Sequence, residues 1–109
     1  MIDVQRYVTE SGEDGFGTWL SKLADNRARA KIAARVARLV AGNFGDCKAL
    51  REGVSELRID WGPGYRVYFA NVGRSVVLLL CGSDKRRQSA NIDQAVAYWK
   101  DFKRRTKKP

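Results

Sequence analysis

The chain has 109 residues, with 21 Lys and Arg against 12 Asp and Glu, a formal net charge of +9 and a pI of about 10.0, and that length suits one core and a single domain over residues 1–109. It contains no histidine, which excludes Ser-His and Cys-His nucleophile pairs and the commonest metal ligand, so acid–base work falls to carboxylates, Lys, Tyr or, through electrostatics, Arg. No apolar run approaches the ~20 residues of a membrane-spanning helix and the N-terminus lacks a signal-peptide pattern, so the expected compartment is the cytoplasm, where the positive field attracts polyanions such as nucleic acid or an acidic protein.

Residues 2–8 alternate well enough for a first strand, ended by Ser11-Gly12-Glu13-Asp14-Gly15. Phe16, Trp19, Leu20 and Leu23 recur at helical spacing and predict a short helix with one apolar stripe. Asp25-Asn26 interrupts the pattern before a second helix over roughly residues 27–41, ended by Gly42-Asn43. Two antiparallel helices joined by a tight link are expected. The second helix has a core stripe of Ile32, Val36, Leu39 and Val40, and a separate basic line of Arg27, Lys31, Arg35 and Arg38 with no acidic residue among them. Such a line reads either as a solvated face or as a contact for nucleic acid or an acidic partner segment.

After a loop through Asn43-Phe44-Gly45-Asp46, Leu57, Ile59 and Trp61 alternate with Glu56, Arg58 and Asp60, as a half-buried strand requires. Gly62-Pro63-Gly64 supplies a tight connection, and the next strand sets Val67 and Phe69 on one face and Arg66 and Tyr68 on the other. If the apolar faces share a core, Arg58, Arg66 and Tyr68 share the opposite surface. Arg58 has Glu56 and Asp60 on its own face, so lateral or cross-strand ion pairs are the competing reading. Residues 76–81 run Val-Val-Leu-Leu-Leu-Cys without a polar break, the mark of a central strand, and with turns at residues 62–64 and 71–73 the three strands form an antiparallel meander. Cys47 and Cys81 match no zinc or redox spacing and read as reduced thiols, Cys81 packing as a small hydrophobe. No metal or cofactor is expected. The polar, basic loop Gly82-Ser83-Asp84-Lys85-Arg86-Arg87-Gln88, held by a rigid strand, is a place for chemistry. Asn91 with Gln94 predicts the cap of a last helix, with Ile92, Ala95, Val96 and Trp99 as its core stripe. The last ten residues carry six basic side chains against one acidic, a basic and frayed tail from about residue 104.

These residues carry a resemblance. Phe16-x-x-Trp19-Leu20-x-x-Leu23, Lys31-Ile32-x-x-Arg35, Gly42-Asn43-Phe44-Gly45-Asp46, Gly53-Val54-x-Glu56-Leu57-Arg58-Ile59, Gly62-Pro63-Gly64-Tyr65-Arg66-Val67-Tyr68-Phe69, and Asp84-Lys85-x-x-Gln88 with Ile92-x-x-Ala95 resemble the RelE/ParE toxin superfamily, specifically its addiction-module killer protein branch of HigB-like toxins. The resemblance implies an α+β fold: an N-terminal two-helix hairpin packed on a twisted, mainly antiparallel β-sheet, with a C-terminal helix. It also implies the toxin of a type II toxin–antitoxin system, neutralised by a cognate antitoxin that is a helix-turn-helix DNA-binding protein.

On the RelE side such toxins cut messenger RNA in the ribosomal decoding site without metal; on the ParE side they poison DNA gyrase, and fold alone does not choose between them. A non-catalytic nucleic-acid- or protein-binding module is the third reading. On the RNA reading the matching positions are Arg66, Arg58, Lys85 and Arg86, with Arg87 beside them for RNA binding and the line Arg27, Lys31, Arg35 and Arg38 for the antitoxin. Cleavage through the RNA's own 2′-hydroxyl needs that hydroxyl activated, an anionic phosphorane stabilised and the 5′-oxygen protonated. Arg58 and Arg66 would clamp phosphate oxygens, Lys85 would act as base, and Arg86 or Tyr68 would assist the leaving group. One departure stands out: RelE-like nucleases carry a functional aromatic or histidine late in the chain, whereas residues 84–89 here hold neither His nor Tyr, and Tyr98 lies on the last helix at no matching position.

Overall fold

Short polar side chains start the helices. In the computed structural model, which describes residues 1–107, Asp14 accepts from Gly17 N at 2.9 Å and opens α1 (Gly15–Lys22). Asp25 accepts from Arg27 N and Ala28 N at 2.9 and 3.3 Å and opens α2 (Asn26–Val40). The interruption at Asp25-Asn26 is therefore an N-cap. The second helix stops where Gly42 takes a φ of +84°, which lets Gly42 N and Asn43 N turn back to Leu39 O and Arg38 O at 2.9 and 3.0 Å.

Five strands, β1 (Asp3–Arg6), β2 (Cys47–Arg51), β3 (Val54–Ile59), β4 (Tyr65–Val72) and β5 (Val76–Asp84), form one sheet in the order β1-β5-β4-β3-β2. β1 runs parallel to β5 and every other pairing is antiparallel. The expected meander is β3–β4–β5, and the apolar run of β5 is explained by burial of both its faces, Val77 and Leu79 in one core cluster and Leu78 and Leu80 in the other. Three details differ from expectation. The first strand is shorter than residues 2–8, β4 extends through Val72 so its turn falls at residues 73–75, and β2 lies just after the expected loop, in residues to which the sequence reading assigns no element. β2 is the sheet edge with all but one of its residues exposed, so it has no buried face to impose alternation. It joins β3 through Glu52-Gly53, with φ of +53° and +86°, as a two-residue hairpin turn demands.

The alternation read in β3 and β4 holds. Leu57, Ile59, Val67 and Phe69 pack with Phe16 of α1 and Ala28, Ile32 and Leu39 of α2. The opposite face carries Arg58, Arg66 and Tyr68 but is not an open surface. α3 (Gln88–Thr106) lays Ala95, Val96 and Trp99 over Val54, Tyr68, Ala70, Leu78 and Leu80, so the sheet has helices on both sides. A bulge sets Tyr68 opposite Cys81 and Phe69 opposite Leu79. It shifts the phase of β5 so that Ser83 meets Tyr68 while Gly82 lies under Trp19 of α1.

The C-terminal helix corrects one expectation. Asp84 accepts from Arg86 N at 2.9 Å and caps a 3-10 turn (Lys85–Arg87) that runs straight into α3. Asn91 is consequently inside the helix, donating its side chain to Arg87 O at 2.9 Å, and caps nothing. The helix runs through Thr106, with Asp101 paired to both Arg104 and Arg105. Residues 108–109 of the expected tail lie outside the described residues. Among the described residues no helix is long and apolar enough to cross a membrane.

Candidate functional site

The β3–β4 turn builds a cleft. Gly62 and Gly64 take φ of +57° and +84°, conformations that glycine adopts without a Cβ penalty, and Gly64 O accepts from Lys85 N at 3.0 Å. That bond ties the end of β5 to the hairpin tip. Arg58 and Arg66 are direct cross-strand partners. The result is a cleft of about 490 Å³ walled by Arg58, Arg66, Lys85, Asp46 and Asp60 around the Gly62-Pro63-Gly64 turn.

Each cation is held differently. Arg58 directs Nε and Nη2 at one oxygen of Asp46, at 3.2 and 3.0 Å, so its ion-pair partner is neither Glu56 nor Asp60. Arg66 is sunk deeper. Its Nε stands 3.5 Å from Glu56 Oε2, an ion-pair distance but too long and misaligned for a hydrogen bond, so that Nε is left without a hydrogen-bond partner. Its Nη1 donates to Tyr65 O at 3.3 Å. Glu56 is 2% exposed and receives Gln88 Nε2 at 3.4 Å, so a buried carboxylate fixes Arg66 from beneath. The side chains of Lys85 and Asp60 make no hydrogen bond or ion pair among the described residues.

The other expected site residues are placed elsewhere. Tyr68 is fully buried and bonds Ser83 Oγ at 2.8 Å; burial, with the neighbouring Glu56 charge, pushes its phenol above the usual range. It belongs to the polar layer beneath Arg66 and does not wall the cleft. Arg86 leans out to Asp84 at 3.1 Å, and Arg87 is exposed on the following turn. On α2, Arg27, Lys31 and Arg38 are exposed, with Lys31 Nζ 4.5 Å above the Trp61 ring. Arg35 has turned inward: it donates to Arg58 O at 2.6 Å, Phe44 O at 3.0 Å and Asp46 O at 3.2 Å. It is a strut between α2 and the Asp46–Arg58 wall of the cleft. Among the described residues no group of three or more Cys, Asp or Glu side chains is placed to hold a metal ion.

No family model matches the chain. Over 80 residues it is 56% identical to a Haemophilus influenzae protein described as "Uncharacterized protein", an alignment covering 73% of this chain and 81% of that one. The chain belongs to that protein's family. The relative's description assigns no activity, so the chemistry rests on the cleft. Its cationic wall is readable from alternation, whereas the sequence reading does not assign Glu56, Gln88, Asp46 and Asp60 to it. The register pairs Arg58 with Arg66 and places Glu56 on the same face, which is the signal for the buried counter-ion; Asp46 lies in a loop and gives no such signal.

Proposed function

We propose that the chain is the toxin of a type II toxin–antitoxin system of the RelE/ParE kind, a metal-independent endoribonuclease that cuts messenger RNA on translating ribosomes in the cytoplasm. The observation that carries this reading is the convergence of Arg58, Arg66 and Lys85 on one cleft beside a glycine turn. Two guanidinium groups facing each other across a hairpin suit the non-bridging oxygens of one phosphate, and Arg geometry favours bidentate contact. Asp46 gives up Arg58 as the phosphate arrives.

In the reaction the 2′-oxygen attacks the adjacent phosphorus, the P–O5′ bond breaks, and the products are a 2′,3′-cyclic phosphate and a 5′-hydroxyl. Lys85 and Asp60 are the cleft groups free to exchange protons with the 2′- and 5′-oxygens. Fixed cations that meet charge only as it builds on the phosphorane supply several kcal/mol of stabilisation. The cognate antitoxin, a helix-turn-helix protein, covers the basic face of α2 through an acidic segment meeting Arg27, Lys31 and Arg38.

The test is growth arrest on expression of the chain alone, compared with Arg58→Ala and Lys85→Ala, whose side chains stand at the surface of the cleft. Both variants are expected to relieve the arrest while keeping the native circular dichroism. Full toxicity in both folded variants would remove the cleft from the mechanism, and arrest with intact messages and blocked gyrase supercoiling would replace this reading with a ParE-like one.

A further inference from the structure

A second cleft, of about 550 Å³, lies between α1, α3 and the C-terminal part of β5. The last paired residue of β1, Arg6, stands opposite Leu79, so the cleft opens along a stretch of β5 that β1 does not cover. Two glycines bring its walls together. A Cβ on Gly82 would stand 2.2–2.5 Å from Trp19 ring atoms, and one on Gly15 would meet Leu80 O at 2.9 Å and Tyr98 Cε2 at 3.0 Å. Trp19 and Tyr98 are thus held as aromatic walls.

The polar groups of this cleft are unspent. Among the described residues the side chains of Glu13, Thr18, Lys22, Gln94 and Tyr98 make no hydrogen bond or ion pair, and Asn91 uses only its Nδ2, on Arg87 O. Free donors and acceptors between aromatic walls suit a flat heterocycle. A side-chain amide pairs with the amino group and ring nitrogen of adenine, and a carboxylate accepts from the amino group of cytosine; uracil offers no amino group. Glu13 and Lys22 balance in charge, so the cleft lacks the cationic excess of a phosphate clamp. Gly82 and Lys85 are three residues apart along one chain segment, roughly 10 Å at ~3.3 Å per residue, or about three stacked-base rises of ~3.4 Å.

We propose that the α1–α3 cleft is a nucleobase subsite that favours a base with an exocyclic amino group over uracil, on the RNA strand whose phosphate lies in the cationic cleft. The placement of that strand rests on the proposed nuclease function; binding of the base does not. The experiment therefore uses uncharged nucleosides, which carry nothing to cleave. Adenosine, cytidine and uridine are titrated into the full chain and its Gln94→Ala and Arg58→Ala variants, followed by amide and indole NMR. Adenosine and cytidine are expected to shift the Gly15 and Gly82 amides and the Trp19 indole N–H, with uridine about tenfold weaker. Gln94→Ala should weaken adenosine and cytidine by about tenfold with the rest of the spectrum unmoved, and Arg58→Ala should change none of the affinities. Absent shifts, shifts confined to the Arg58–Arg66–Lys85 cleft, equal affinity for uridine, or indifference to Gln94→Ala would overturn the subsite. A nuclease failure in cells with these titrations intact would count against the cleavage chemistry alone.

Discussion

Arg66 and Glu56 behave as one unit, with side chains 15% and 3% exposed, and removing one strands the other. Arg66→Ala should therefore cost stability, on the order of 3 kcal/mol, read as a lower midpoint in urea. The double variant Glu56→Gln/Arg66→Gln should recover most of it, and strictly additive losses would contradict the pairing. Under the proposed function Asp46 would act in the opposite sense, as an internal competitor for phosphate at Arg58. Asp46→Asn is expected to tighten binding of a short RNA a few-fold, about what an exposed pair is worth, measured by titration at fixed salt. Period-two alternation alone assigns Arg58 and Arg66 to one face, because a strand leaves each side chain one choice of two. It places Tyr68 on the same face correctly, but carries no sign that α3 closes over that part of the sheet and leaves only the Arg58 end open.

The elements differ in how readable they are. α1, α2 and the β3–β5 meander announce themselves through apolar periodicity, whereas β2, exposed at all but one residue, has none to offer. Asn91 reads as a cap because it is a polar residue before an apolar stripe, yet Asp84 captures the turn seven residues earlier. The close seating of α1 on β5 depends on Gly82. Gly82→Ala would drive a methyl into the Trp19 ring, at a cost of about 1–3 kcal/mol, visible as a lowered melting temperature; an unchanged one would mean that Trp19 shifts freely. On α2, Lys31→Glu with Arg38→Glu should slow association with the proposed antitoxin and flatten its salt dependence. Arg35→Ala should instead destabilise the fold, because three backbone carbonyls lose their donor. Unchanged association rates in the double variant would move the antitoxin off this face.

At the scale of the whole molecule, stability should form a plateau between two limbs. Asp101 is held below the usual carboxylate range by the Tyr7 hydroxyl and then Arg104, and Asp25 by the Trp61 indole N–H. Their folded values are the lower ones, so the stability they add is present above about pH 4 and is lost as pH falls through those values. Burial raises Tyr7 and Tyr68, so their contribution is complete below about pH 10 and is lost as pH rises beyond it. Melts across pH should decline at both ends, with Asp101→Asn flattening the acid limb; an acid limb unchanged in that variant would remove Asp101 from it. The net charge of +9 attracts any polyanion, so the affinity of the proposed RNA substrate should fall with salt, and under the proposed function the arrangement of the cleft turns binding into cleavage. The direct measurement is primer extension on a defined message translated in vitro with the purified chain, wild type beside Arg58→Ala and Lys85→Ala. New 5′ ends inside the translated region with the wild type, and their loss in both variants, are the predicted result; an intact message with wild-type protein, or unchanged cuts in the folded variants, would contradict it.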